Sequence, residues 1–263
     1  MMLKLFGLDA EEFPQGTEIP VETPAIEIGA AVIAKGVQDG LLFAGTDHTR
    51  YVLCGLLFTS KNDQLRIVAT DGRRLFLRKF EIAADCNGIV PADAARLIPS
   101  LASFSSDSVK LRFAKECVEL SGAGWRLVAK LIEAQFPNYE QVIPPPESCE
   151  RGFTLDHDEL DHALRFAATV LVEKGGPVRV VAGKDKVVIT ASQAEVGDAS
   201  VELAGKTDQE IAVCYNALFL TQALAAVEGS EMTLRMHDAQ SPTMIETGDS
   251  SLVLMPMRDS KAS

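Results

Sequence analysis

Val68-Ala-Thr-Asp-Gly-Arg-Arg-Leu75 sets an Asp-Gly pair between two apolar runs, a strong hairpin signal. Glycine accepts positive φ, and an Asp side chain can bond its own backbone. Outward from this turn, apolar alternation predicts strands over 51–59, 65–70 and 74–82, the first two joined by Lys61-Asn62-Asp63. Before them lie alternating Ile26 and Ile28 and a helix-like run over 29–38. After them come a short strand ending at Val90, a helix over 92–102 opened by Pro91, and strands over 109–113, 118–121 and 125–132.

The same order then recurs. Phe153 and Leu155 alternate into a helix over 158–172, followed by strands over 178–182, 186–191, 199–204 and 209–214. A helix over 217–227 and strands over 232–236, 243–246 and 252–257 close the set. Between the copies stands Ile143-Pro-Pro-Pro-Glu-Ser-Cys-Glu150, whose three prolines continue neither a helix nor a central strand and make a short stiff linker. The expected fold class is therefore α+β, a duplicated domain with two helices packed on antiparallel sheets in each copy. The expected boundaries are 25–146 and 147–263, with residues 1–24 fitting neither copy.

The chain has 263 residues, enough for two cores, with an ordinary 47% apolar and 24% charged content. No run approaches the roughly 20 apolar residues that span a bilayer. The N-terminus lacks a secretory pattern, and the cysteines (54, 86, 117, 149, 214) are odd in number and without C-x-x-C spacing. Reduced thiols in a cytoplasmic protein are the expectation. The net charge of −12 argues against a protein that simply coats nucleic acid, though a local field can oppose the global sign. Residues 1–146 hold 15 basic against 18 acidic residues, residues 147–263 hold 10 against 19, so the first half is the place to look for anionic partners.

No nucleophile–base pair or metal-ligand set accompanies these segments, and neither an enzyme nor a cofactor is expected. Asp156-His-Asp-Glu-Leu-Asp-His162 is rich in potential metal ligands, yet Asp156 with Glu159 three later reads as a helix N-terminal cap. Gly175-Gly176-Pro177 lacks the Lys-Ser/Thr of a phosphate loop and reads as a turn.

Three segments taken together do carry a family. Arg50-Tyr-Val-Leu-Cys-Gly-Leu-Leu-Phe58 through Leu75, Gln135-Phe-Pro-Asn-Tyr-Glu-Gln-Val-Ile-Pro144, and Leu252-Val-Leu-Met-Pro-Met-Arg258 resemble, in the right order, stretches of the bacterial DNA polymerase III β subunit, the sliding clamp. Read singly, they are a hairpin turn, a proline-fixed connector and a buried last strand. The resemblance runs from about residue 8 to Arg258 and covers the family's second and third domains. Leu8-Asp-Ala-Glu-Glu-Phe-Pro14 looks like the tail of a preceding clamp domain. Val52 stands where many relatives have an aromatic residue, and Arg73 replaces the family's common histidine.

What the resemblance implies is a non-enzymatic processivity factor for DNA polymerase, gripped by polymerases and repair proteins through short linear motifs. Carried over, the peptide-binding groove falls on Arg50, Leu53, Thr70, Gly72, Arg74, Leu75, Pro137, Val142, Val253 and Met255, with Leu75, Val142 and Met255 as its floor. Each buried anchor of a bound peptide contributes about 1.5–3 kcal/mol before ordering costs, so two or three give exchangeable binding. Duplex DNA held without sequence readout would face Lys35, Arg96, Arg165 and Lys174, although a solvated helix face accounts for each of these equally well. The family closes a six-domain ring from two three-domain subunits; two domains per chain would need three copies, a homotrimer, with residues 8–24 available as an added edge strand and a clamp loader as a further partner. The alternative is a clamp-derived interaction module that binds such peptides without encircling DNA. No membrane partner is expected.

Overall fold

The computed structural model describes residues 2–4, 6, 7, 9, 11, 18–105, 107–207 and 209–258. Of the segment 8–24 expected as an added strand, residues 8, 10 and 12–17 lie outside the described residues, and residues 18–24 form a turn and no strand within this chain. The first repeat runs β1 (Ile26–Gly29), α1 (Ala30–Leu41), β2 (Gly55–Lys61), β3 (Gln64–Thr70), β4 (Arg74–Phe80), β5 (Asn87–Pro91), α2 (Ala92–Ala95), α3 (Leu97–Ala102), β6 (Ser108–Phe113), β7 (Cys117–Gly122) and β8 (Trp125–Lys130). The second runs β9 (Arg151–Asp156), α4 (His157–Ala168), β10 (Pro177–Ala182), β11 (Lys186–Gln193), β12 (Gly197–Ala204), β13 (Lys206–Thr207), β14 (Ile211–Asn216), α5 (Ala217–Ala225), β15 (Glu231–Met236), β16 (Thr243–Thr247) and β17 (Ser250–Leu254).

Three antiparallel sheets result. One is β1-β6-β7-β8, a second is β12-β11-β10-β14, and a nine-stranded sheet β13-β9-β15-β16-β17-β4-β3-β2-β5 runs through both repeats. The repeats are thus joined by backbone pairing: β17 lies against β4, with Leu252 opposite Phe76 and Val253 opposite Leu75. Period-2 alternation sends Phe76 inward to the main core with Phe58, Ile67 and Leu252. Leu57, Val68, Leu75, Leu77, Ile89 and Val253 form a second apolar cluster.

Local chemistry explains the element ends. Asn62 and Asp63 both take positive φ, 53° and 57°, the conformation a two-residue hairpin with right-handed strand twist requires. Asp156 accepts hydrogen bonds from the backbone N–H groups of Asp158 and Glu159, so the acid-rich 156–162 segment opens α4 as a cap. Gly36 lets α1 lie close on the sheet, since a Cβ there would sit 2.9 Å from the Phe80 ring.

Four expected spans differ. The strand expected from residue 51 begins at Gly55, because His48–Leu53 coils into 3-10 turns capped by the Asp47 side chain on the Thr49 N–H. The single helix over 92–102 is two pieces meeting at Arg96, where Pro99 has no N–H to return to the Ala95 carbonyl. The helix expected to reach residue 172 ends at Ala168, the Thr169 hydroxyl turning back to the Phe166 carbonyl. The last strand stops at Leu254 before Pro256, and Met257 instead bridges Cys214 through a 2.7 Å N–H to carbonyl bond. Among the described residues, no helix is long and apolar enough to cross a membrane.

Candidate peptide-binding groove

The β3–β4 turn is a dense knot of hydrogen bonds. The Thr70 hydroxyl donates to the Arg74 carbonyl at 2.6 Å and accepts from the Gly72 N–H at 3.0 Å. Asp71 accepts from the Arg73 and Arg74 N–H groups at 2.8 and 3.1 Å, and from Arg74 Nε at 2.9 Å. Gly72 has φ +89°, and Arg50 closes over it: its Nη1 donates to the Asp71 carbonyl at 3.2 Å. A Cβ on Gly72 would meet Arg50 Nη2 at 2.6 Å, so a side chain there would push that guanidinium aside. The Met255 N–H donates to the Arg73 carbonyl at 2.9 Å, which ties the end of β17 to the same turn.

Five of the ten expected groove residues therefore meet here: Arg50, Thr70, Gly72, Arg74 and Met255. Leu75 and Val253 pair directly below, in the second apolar cluster. Exposure separates their roles. Met255 is 41% exposed and Val142 48%, whereas Leu75 and Val253 are each only 2% exposed. An open floor was expected of Leu75; instead it is sealed by partly buried Val52, Ile132, Phe136, Tyr139 and Ile143, which pack on its cluster. Leu53 is also buried, its carbonyl taken by the Gly45 N–H, so it supports the 3-10 turns rather than presenting a surface.

Arg74 likewise does not face outward. It lies on the inner side of β4, hydrogen-bonded to Gln222 of α5 and stacked over Phe219 at 4.2 Å from the ring centre and Phe43 at 5.3 Å. Burial pulls its pKa down while the Asp71 carboxylate opposes that. Its part is to fix the turn and join β4 to α5.

The opposite wall is the segment after β8. Phe136, Pro137 and Tyr139 line a concavity of about 590 Å³ with Leu57, Ile89 and Ile132. Of the ten expected residues, Pro137 borders this hollow. Glu140, next to it, is gripped by Lys61 Nζ at 2.6 Å and by Arg66 Nη1 at 3.2 Å, and Tyr139 OH lies 3.4 Å from Arg66. The Lys61 hydrogen bond holds the Glu140 carboxyl below its ordinary range. Sequence reasoning missed Lys61, Arg66 and Glu140 as tethers. It also missed the depth of the apolar cluster, although β2, β3 and β4 are apolar on both faces, the pattern of a sheet covered on both sides.

The basic candidates are dispersed. Lys35 pairs with Asp39, Arg96 with Asp93 and Arg165 with Asp161, each within one turn along the chain. Lys174 is exposed in the turn between α4 and β10 rather than on a helix. Three of the four positive charges are thus locally countered, and α5 contains none.

Comparison with known proteins gives these features a family. The model for the DNA polymerase III beta subunit, central domain, matches residues 27–138, and that for the C-terminal domain matches residues 140–258. The beta sliding clamp of Staphylococcus aureus is 23% identical over 263 residues, 97% of this chain and 69% of its own length. That of Caulobacter vibrioides is 31% identical over 229 residues, 81% of this chain and 60% of its own length. Among solved structures, a Caulobacter crescentus beta sliding clamp superposes with a TM-score of 0.89 at 26% identity, covering 96% of this chain and 70% of that one. A Bartonella birtlesii sliding clamp bound to griselimycin gives 0.89 at 23% identity with the same coverage. The turn at Gly72 and the apolar cluster beneath it lie inside the matched span, and the chain belongs to the DNA polymerase III beta subunit family, of which it carries the central and C-terminal domains.

Proposed function

We propose that this chain is a sliding-clamp processivity factor whose groove beside the β4–β17 junction holds short apolar segments of polymerases and repair proteins. The observation that carries this reading is the pairing of Leu75 with Val253 across the repeats, with exposed Met255 fastened to the same turn. A sealed pair beneath an exposed thioether is a firm base under an adaptable surface, suited to several partners in turn. An incoming Leu or Phe side chain would insert between Met255 and the 136–143 wall, displacing one of the partly buried side chains that cover Leu75. Pro137 and Val142 border that path, while Arg50, Thr70, Gly72 and Arg74 keep the turn in shape. The role is binding, not turnover. A Bartonella birtlesii clamp is bound to griselimycin and a Caulobacter crescentus clamp holds PEG, so relatives of this chain accept ligands, which supports the binding reading.

Duplex DNA is the second partner. Three copies of these 263 residues would supply the six domains of a clamp ring, the helices turned to the duplex and contacts limited to phosphates. Lys174 and the half-countered Lys35, Arg96 and Arg165 give such a lining few free charges, so binding by encirclement rather than by affinity is the consistent mode. A ring of this kind needs an opening step, for which a clamp loader is the natural partner, and the setting of this work is the cytoplasm.

The groove is tested by fluorescence anisotropy with a labelled decapeptide carrying Leu and Phe anchors. Met255→Asp and Val142→Asp should each weaken binding at least tenfold with the melting temperature unchanged, because both side chains are exposed; unaltered affinity in both would refute the groove. Retention on nicked circular but not linear DNA tests encirclement, and equal loss from both would favour the alternative of a peptide-binding module that does not enclose DNA.

A further inference from the structure

A hollow of about 590 Å³ lies where β9 and the residues before it meet β15, β13 and the β10–β11 hairpin, and none of its lining residues belongs to the candidate groove. Cross-strand pairing builds its base: Thr154 stands opposite Thr233 and Gly152 opposite Arg235. Alternation sends Phe153, Leu155 and Leu234 into the core, which leaves Gly152, Thr154, Thr233 and Arg235 on the other face of the sheet. Gly152 makes room for the Arg235 stem, since a Cβ there would sit 3.3 Å from Arg235 Cγ and 2.8 Å from the Leu234 carbonyl oxygen.

The charged groups around this hollow differ from those elsewhere in the chain. Arg151, Lys184 and Arg235 border it, and among the described residues none of their side chains has a hydrogen bond or an ion pair. By contrast Arg66, Arg74, Arg78, Arg112, Arg126 and Arg165 each hold a carboxylate at 3.2 Å or less. Three unpaired cations around one concavity are donors for an anion, and a guanidinium fork matches phosphate oxygens best. The Thr154 and Thr233 hydroxyl oxygens lie 2.8 Å apart. One donates to the other, so the second keeps its proton for an outside acceptor.

Two acids share the rim. Glu150 and Asp185 border the same hollow, yet neither is paired with the three cations. A carboxylate repels an oxyanion that offers only acceptors, such as sulfate, but accepts a hydrogen bond from one that also carries O–H groups. We propose that this hollow binds a small phosphate bearing hydroxyl groups, with a sugar phosphate as the class that fills it. Arg151, Lys184, Arg235 and one threonine hydroxyl would grip the phosphoryl oxygens, while Glu150 and Asp185 accept from the hydroxyls. Inorganic hydrogen phosphate offers the same two chemistries but occupies only a small part of 590 Å³. The bound ligand would join residues 149–154, which follow the proline linker, to the hairpin at Lys184 and Asp185. Neither the groove nor a ring is required for it.

Isothermal titration calorimetry at constant ionic strength, with ribose 5-phosphate, inorganic phosphate and sulfate as probes, tests the site. Ribose 5-phosphate should bind saturably with one site per chain, and sulfate at least tenfold more weakly than inorganic phosphate. Arg151→Gln and Arg235→Gln should each cut phosphate affinity at least tenfold with the melting temperature unchanged, since neither side chain has a partner to lose. Glu150→Gln with Asp185→Asn should bring sulfate to within about threefold of phosphate, a change that a merely basic patch would not show. Hydrogen exchange in 149–154 and 183–185 should slow when ribose 5-phosphate is added. Inorganic phosphate binding as tightly as the sugar phosphate would assign the same site to the free ion. Heats that never saturate, sulfate binding as well as phosphate, or arginine variants that bind like the native protein would overturn the inference.

Discussion

The two walls of the candidate groove are built by opposite means. The 70–75 turn is fixed by side chains that consume nearly every local donor: Thr70, Asp71, Arg50 and Arg74 together bind the backbone and one another. The 136–143 segment has only a short 3-10 turn at Tyr139–Val142, apolar contacts on the cluster, and the Glu140 grip of Lys61 and Arg66. One wall is a template and the other a cover. In the proposed peptide-binding role that division would put the ordering costs on the cover and leave the template to set the register of a bound peptide.

The largest effect should come from the layer both walls share. Leu75→Ala removes a sealed side chain between Val253 and the covering aromatic residues, and a core truncation of this kind costs about 2–5 kcal/mol. Urea unfolding should show that loss, and peptide anisotropy should fall with it, because cover and template would both settle into the void. A drop in stability with affinity intact would mean that Leu75 acts as ordinary core and the groove does not depend on it. On the template, Gly72→Ala is the sharper probe. Positive φ costs an L-residue about 1–2 kcal/mol, and the new methyl must also push Arg50 aside. The expected result is a modest fall in stability with a disproportionate loss of peptide affinity. Proportionate losses would show that the turn's exact shape does not matter.

Most of the duplication was legible because repeated periodicity and punctuation survive divergence. Asn62-Asp63, Asp71-Gly72, Pro91 and Asp156 each begin or end an element through their own backbone chemistry. Three failures have two causes: a local cap decided the first, and partners distant in sequence decided the other two. Tyr51-Val-Leu53 has strand propensity, yet Asp47 caps it into 3-10 turns. Arg74 has the look of a surface cation, yet the strand's alternation turns it inward to Gln222 and Phe219. Leu75 is expected as an open floor where the halves meet; it pairs with Val253 there but is buried, and its covering by Phe136, Tyr139 and Ile143 depends on how a proline-bounded segment folds back, which no local pattern encodes. The family resemblance implies which residues would form a groove, and it does not say which of them face solvent.

The smallest expected effect concerns the cover's tether. Glu140 is nearly half exposed, so its pairing with Lys61 and Arg66 contributes under about 1 kcal/mol to overall stability. Its carboxyl is nonetheless held below the ordinary range by the Lys61 hydrogen bond. A group with a depressed folded pKa adds stability that is fully present above its unfolded value, about 4.3 for glutamate, and is lost as pH falls through the lower folded value. Between pH 5 and pH 3 the cover should therefore loosen before the template does, seen as faster hydrogen exchange in 136–143 than in 70–75. Glu140→Gln removes the carboxylate at every pH, so that segment should exchange quickly already at neutral pH, with its acid dependence largely gone and peptide affinity reduced less than threefold. Were the variant's exchange in 136–143 to match the native protein at pH 7, the apolar contacts alone would hold the cover, and the two walls would differ far less than their hydrogen bonding suggests.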